Sequence, residues 1–376
     1  MKYSGFILFF VLILASIAGI IYYLSNRFAL FFPSVSFKTW LWGLSGATLL
    51  LLTGTIFSFA IQNPVGKLFF MLSVFWITVL LFLLMFVAFL DLVNLGYKIS
   101  PLLRGIISLT ITFLLIIYGA INASVIKVKE ISIPISGLTK EITAVHISDL
   151  HLGYFWGKKR LDNIVNKIIA LNPDVVFNTG DMFDTDAHFD KNSDVLDPLS
   201  KLAMPHYFVY GNHDEKAGVE EVIKRMKDAG VIVLQNETAQ FGELQIIGLN
   251  NMLADENRFD IHANQNMATI KSVMNNLTVN ENRPTVVLHH RPGGMEYLNA
   301  KKVDLLLTGH THAGQLFPFI LIVKAMYKYN TGLYLYNDLN IYVTAGVGTA
   351  AMPVRIGTRS EITFIRLIPK NIKQCS

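Results

Sequence analysis

Residues 144–151 read Ala144-Val145-His146-Ile147-Ser148-Asp149-Leu150-His151. The first four favour a buried β-strand, and the chain then turns to an acid and an imidazole two residues apart. The same punctuation recurs along the second half. Val176-Phe177 runs into Gly180-Asp181, Phe208-Val209-Tyr210 into Gly211-Asn212-His213-Asp214, Val286-Val287-Leu288 into His289-His290, and Leu305-Leu306-Leu307 into Gly309-His310-Thr311-His312. Six of the ten histidines fall in these five blocks. Each block begins where an apolar run ends. Strand C-termini gather on one rim of an α/β sheet, so the polar side chains are expected to meet in space.

Between the blocks, β-branched runs alternate with amphipathic helical patterns. Strands are expected near 141–147, 175–178, 207–210, 244–249, 285–288, 303–307, 341–344 and 361–367, and helices near 158–171 and 217–229. That is too many strands for one small sheet, and two packed sheets with helices outside are expected. Hard oxygen donors interleaved with imidazoles suit two divalent metals and the splitting of a phosphate ester.

Upstream of residue 124 the composition is different. Four apolar runs, about 3–24, 40–61, 68–92 and 102–123, are each long enough at roughly 1.5 Å per residue to cross a ~30 Å hydrocarbon core. The first follows Lys2 and resembles a signal segment, but it exceeds a signal core in length and lacks an A-x-A site, so it is read as a retained span. Pro33, Pro64 and Pro101 fall between or at the ends of spans, where a lost backbone donor is cheapest. The expected division is 1–124, a transmembrane domain, and 125–376, a catalytic domain, in a multi-pass protein of the cell membrane.

Charge divides in the same place. Residues 1–124 carry six basic side chains against Asp91, so the whole formal charge of +5 lies there and the remainder is neutral. The basic balance therefore reports membrane-flanking residues and gives no support to nucleic-acid binding. Lys2, Lys67, Lys127 and Lys129 flank one side, Arg27, Lys38, Lys98 and Arg104 the other, a tie by the positive-inside rule. A single cysteine, Cys375, excludes an internal disulfide and a Cys-rich zinc site.

The ordered blocks D-x-H, G-D, G-N-H-D, a strand-borne His and G-H-x-H resemble the calcineurin-like metallophosphoesterase family. The form Gly309-His310-Thr311-His312-Ala313-Gly314-Gln315, with Gly346-Val347-Gly348 and Arg355, is similar to its membrane-associated bacterial branch. The resemblance implies a two-sheet αββα metallophosphoesterase sandwich, here preceded by an all-α bundle of four transmembrane helices. It implies that Asp149, His151 and His312 hold one metal, that Asp181 bridges to a second, and that Asn212, His290 and His310 complete the second. Two divalent ions, manganese, iron, zinc or magnesium, would then sit ~3.5 to 4 Å apart and activate water for attack on phosphorus. His213 would act on the scissile phosphate as a catalytic residue, with Asp214 orienting it.

Only one of the adjacent His289 and His290 can face the metals from a strand. His290, in the H-x-P form, is taken as the ligand and His289 as a supporting or core histidine. His146 is expected to be buried and hydrogen-bonded, His206 to lie in a surface turn, and His188 and His262 in solvated loops. Asp184 and Asp186 suit either outer-shell metal contacts or turn chemistry. Gly180, Gly211 and Gly309 suggest close backbone approach. Asp91 is expected to reach the interface from the end of its span. The apolar run 316–323 reads either as core packing or as an exposed surface that meets lipid. The expected function is hydrolysis of a lipid-linked phosphate ester or pyrophosphate. The alternatives are a tethered hydrolase of soluble phosphoesters or nucleotides, and a four-helix sensor or transport unit with a phosphoesterase output domain.

Overall fold

The computed structural model describes residues 2–60, 64–185, 194–256 and 268–370, and these divide into two compact units, Met1–Gly119 and Ala120–Ser376. His188, His262, Asp186 and Cys375 lie outside the described residues.

In the first unit the helices are α1 (Lys2–Phe31), α2 (Phe37–Ala60), α3 (Pro64–Gly96) and α4 (Pro101–Ser124), the last of which runs on into the second unit. Pro64 and Pro101 each open a helix, where the missing N–H costs nothing. All four are long and apolar enough to cross a membrane. Leu24, Phe28, Phe31, Leu80, Leu83 and Val87 form the inner seam, while Leu49, Leu50, Phe57, Leu68 and Leu92 are exposed. That outward apolar surface suits a lipid solvent.

Polar bonds tie the helices together. Thr55 Oγ1 donates to Ser73 Oγ (2.6 Å) and Trp76 Nε1 to Thr48 Oγ1 (2.9 Å). Asp91, near the end of α3, accepts from Tyr23 on α1 (2.6 Å) and pairs with Arg27 on α1 and Arg104 on α4, both at 2.6 Å. Its carboxylate is mostly shielded from solvent by these partners.

Among the described residues the second unit holds two six-stranded sheets. The first is built from β1 (Ile126–Ile135), β2 (Ile142–Ile147), β3 (Val175–Asn178), β4 (His206–Phe208), β5 (Ile232–Val233) and β12 (Ser360–Pro369), in the order β1-β12-β2-β3-β4-β5. Strands β2 to β5 are parallel and β12 runs antiparallel to β2. The second comprises β6 (Glu237–Phe241), β7 (Leu244–Gly248), β8 (Thr285–Leu288), β9 (Leu305–Thr308), β10 (Gly332–Tyr336) and β11 (Leu339–Val343), in the order β10-β11-β9-β8-β7-β6, with β7, β8, β9 and β11 parallel.

Strand alternation sets the layers. Ala144, Val175 and Phe177 from the first sheet meet Ile246, Val286, Leu288 and Leu305 from the second between the sheets. On the other face of the first sheet, Val145, Ile147 and Val176 pack on Leu161, Ile164 and Val165 of α5 (Lys158–Leu171) and on Val222 and Met226 of α6 (Asn212–Asp228). Ile247, Val287 and Leu306 similarly meet Met274 of α7 (Ile270–Asn276) and Leu298 of α8 (Met295–Ala300). The result is an αββα sandwich.

Several local expectations are corrected. Helix α6 starts at Asn212 and not near 217: Asp214 accepts from the Gly211 N–H (2.9 Å), which nucleates the first turn, and Gly218 (φ 115°) interrupts the pattern later. His206 lies in β4 and is buried, because Pro205 leads directly into the strand instead of a surface turn. The run 316–323 does not form a buried strand: Phe319–Met326 is a helix, α9, with no buried residue.

Candidate metal centre

The motif residues leave the C-terminal ends of β2, β3 and β4 in one sheet and of β8 and β9 in the other. Donor atoms of Asp149, His151 and His312 lie within 4.8 Å of one another, and so do those of Asp181, His290 and His310. Asp181 stands between the two groups: its Oδ2 is 3.1 Å from His290 Nε2 and 3.7 Å from His151 Nε2. His312 Nε2 is 3.4 Å from Asp149 Oδ1 and 3.0 Å from His151 Nε2. Every residue that the sequence nominated as a ligand is at this rim, with His290 rather than His289 turned to Asp181. His289 Nδ1 meets the Arg291 carbonyl at 2.7 Å.

Backbone geometry makes the convergence possible. Asp149, His151, Asp181, His310 and His312 all have positive φ, between 49° and 69°. Non-glycine residues adopt this region at a cost and do so preferentially at functional sites. Two glycines permit close approaches to the acids. A Cβ on Gly211 would collide with the Asp181 carboxylate, and one on Gly309 with Ser148 Oγ and Asp149 Oδ2. The peptide groups interlock as well, with His310 N–H donating to both Asp149 carboxylate oxygens (3.1 Å) and His151 N–H to the Asp181 carbonyl (3.0 Å).

The donor set suits divalent cations. Asn212 is buried, and its Oδ1 has no hydrogen-bond partner among the described residues, an expensive arrangement for an amide oxygen unless an electrophile satisfies it. His290 Nδ1 is pinned to the Thr179 carbonyl (2.7 Å), which leaves the Nε2 lone pair, on the Asp181 side, to hold a cation. Burial alone would lower the His151 imidazole, but Asp184, Asp181 and Asp149 around it outweigh this and raise it to about 9. Burial would raise Asp181, yet His290, His213 and His151 hold it well below the usual carboxylate range.

The partner of His213 is corrected. Asp214 is buried and accepts from the Phe183 and Gly211 N–H groups, both at 2.9 Å, and burial with the Asp181 charge pushes it up to about 6. Neighbouring residues of a helix point about 100° apart, so Asp214 turns away from His213. The carboxylate against His213 is Asp184, with Oδ1 2.8 Å from Nδ1 and Oδ2 3.6 Å from His151 Nδ1. Thr185 Oγ1 lies 3.0 Å from the same His213 nitrogen.

Two more side chains support the centre. Arg355 is fully buried and donates to the Ala345 and Gly348 carbonyls, both at 2.7 Å, while Gly348 N–H donates to the Asp149 carbonyl (2.8 Å). It thereby braces the loop that carries Asp149. Tyr327, one residue beyond α9, places its hydroxyl 3.2 Å from His310 Nε2. A neighbouring cleft of about 730 Å³ is lined by His289, Arg291, Met295, Met326, Tyr327 and Tyr329, among others.

An αββα sandwich with acids, an amide and imidazoles converging at its strand ends defines a metallophosphoesterase class of domain. Residues 142–314 match the model of the Calcineurin-like phosphoesterase family. The chain is 34% identical over 250 residues to an uncharacterized metallophosphoesterase of Helicobacter pylori, covering 65% of each. It is 32% identical over 281 residues to a transmembrane protein with metallophosphoesterase domain of Danio rerio, covering 70% of this chain and 62% of that protein. A Campylobacter jejuni metallophosphoesterase is 30% identical over 270 residues, 69% of each. The chain belongs to the calcineurin-like phosphoesterase family. It spans about two thirds of the length of these relatives.

Proposed function

We propose that this chain is a multi-pass protein of the cell membrane whose domain 125–376 hydrolyses a phosphate ester or pyrophosphate with two divalent metals. The observation behind this is the position of Asp181 between two donor groups, together with a buried Asn212 oxygen that has no hydrogen-bond partner among the described residues. Asp149, His151 and His312 would hold one ion, Asn212, His290 and His310 the other, and Asp181 both. Bound there, the ions would neutralise phosphoryl oxygens and depress the pKa of a water toward neutrality.

The chain's own groups do the rest. Asp184 and Thr185 fix His213 through Nδ1, which leaves Nε2 to face the phosphate and to give a proton to the leaving oxygen. Asp214 acts through the backbone, holding the start of α6 and thus Asn212 and His213 in place. A lipid-linked substrate is favoured because one residue separates the end of the fourth apolar helix from β1, which keeps the domain at the bilayer.

The test compares hydrolysis of phosphomonoesters, phosphodiesters and detergent-dispersed lipid phosphates by the full chain. Chelation is expected to abolish turnover and divalent metal to restore it. His213→Ala is expected to retain metal but to lose about 10²–10⁴-fold in kcat. Hydrolysis that survives chelation and this substitution would overturn the reading. Equal use of soluble and lipid substrates would replace the lipid-linked part with a tethered hydrolase of soluble phosphoesters.

A further inference from the structure

Helix α9 and the residues flanking it present an apolar surface on the second unit. The segment from 317 to 328 reads Phe317-Pro318-Phe319-Ile320-Leu321-Ile322-Val323-Lys324-Ala325-Met326-Tyr327-Lys328, with two lysines and no acid. Ile320, Val323 and Tyr327 recur at i, i+3 and i+7 and are half-buried, so they form the attached side. Ile320 lies on two glycines: a Cβ on Gly314 would come within 2.5 Å of its Cα, and one on Gly357 within 2.7 Å of its Cδ1. Among the described residues the opposite side is exposed. Phe317 is 44% exposed, Phe319 39%, Leu321 58%, Ile322 49% and Met326 61%. So large an apolar face on a short helix marks an interaction surface.

We propose that α9 docks in the lipid headgroup and acyl boundary of a bilayer containing anionic phospholipid. Three observations favour lipid as the occupant. The same chain carries four helices able to cross a membrane, and the single residue Val125 joins the last of them to β1, so a bilayer is always at high effective concentration. Lys324 and Lys328 are exposed at one edge of the apolar face, where long stems can rise to lipid phosphates while the rings and aliphatic groups enter. The helix is about 12 Å long, suited to lying in the interface and too short to span it.

The site gains from this arrangement. Tyr327 meets His310, and Met326 and Tyr329 line the 730 Å³ cleft beside the metal centre. A docked α9 brings the mouth of that cleft to headgroup depth, so that a lipid-borne phosphate enters without leaving the membrane. Docking itself does not require the hydrolase reading.

The test uses the full chain in nanodiscs of phosphatidylethanolamine and phosphatidylglycerol, with Cys375→Ser removing the native thiol. Ile322→Cys, and separately Phe319→Cys, carries an environment-sensitive fluorophore, with Lys227→Cys on the polar surface of α6 as control. Blue-shifted emission from 322 and 319, most of it lost to nitroxide-labelled lipid, is expected, with water-like emission from 227. Omitting the anionic lipid, or introducing Lys324→Glu with Lys328→Glu, should reverse much of the shift. Water-like emission at 322 and 319 would overturn the proposal. So would a blue shift that lipid nitroxide does not quench, which would place protein over the helix. Hydrolysis is measured separately on the same samples, so absence of activity tells against the hydrolase reading alone.

Discussion

His213 and its carboxylate show how much of a site is decided away from local sequence. The Asp beside it, Asp214, serves backbone amides, and Asp184 takes the imidazole. Asp184 reaches that position because two loops run side by side: Leu152 N–H donates to the Met182 carbonyl (2.9 Å) and Asp184 N–H to the Leu152 carbonyl (3.0 Å). Burial would raise the Asp184 carboxyl, but His151 and His213 hold it far below its ordinary range, so it stays an acceptor. Asp184→Asn is expected to lower kcat about 10–100-fold at saturating metal, since supporting groups of metal sites have effects of that size. Steady-state kinetics check it, and an unchanged kcat would remove Asp184 from the role. The ligand blocks themselves were legible because each ends an apolar run. The pairing of the loops was not, because it depends on left-handed backbone at Asp149, His151 and Asp181 that residue identity does not announce. His206 was misread for a related reason: a polar side chain after proline resembles a turn, and only the register Val176 to His206 shows it inside the sheet.

At the scale of elements, the four long apolar helices follow from run length and α5 and the central strands from periodicity, and β3, β8 and α5 match their expected limits. Edge strands did not. Strand β1 carries Lys127, Lys129 and Glu130, its outer half is largely exposed, and directly after a hydrophobic helix it reads as a linker. Strand β10 alternates half-buried and exposed positions at a sheet edge. Helix α9 defeated the pattern because an unbroken apolar run carries no period, and buried strand, buried helix and lipid-facing helix share that signature. Within the apolar helices, Asp91 joins α1, α3 and α4 through Arg27 and Arg104. Asp91→Asn leaves the buried Arg104 without its counter-charge and is expected to cost about 3–5 kcal/mol. Thermal unfolding in detergent reads this, with Asp91→Leu plus Arg104→Leu less damaging than Asp91→Asn alone. A single variant as stable as wild type would show that the cluster is not a clamp.

For the whole molecule, the αββα sandwich and the gathering of five sequence-distant blocks at one rim are the physical basis of the account. Two sheets contribute different halves of the centre, β2 to β4 on one side and β8 and β9 on the other, so neither donor group forms without the packing of both. Asp181 is proposed to serve two cations at once. The direct measurement is metal content by mass spectrometry of the purified full chain, wild type beside Asp181→Ala, after dialysis against the divalent ion that best supports hydrolysis. Two ions per chain in the wild type, with loss of one or both in the variant, are expected. A wild type that binds none, or an Asp181→Ala protein that keeps two, would contradict the account.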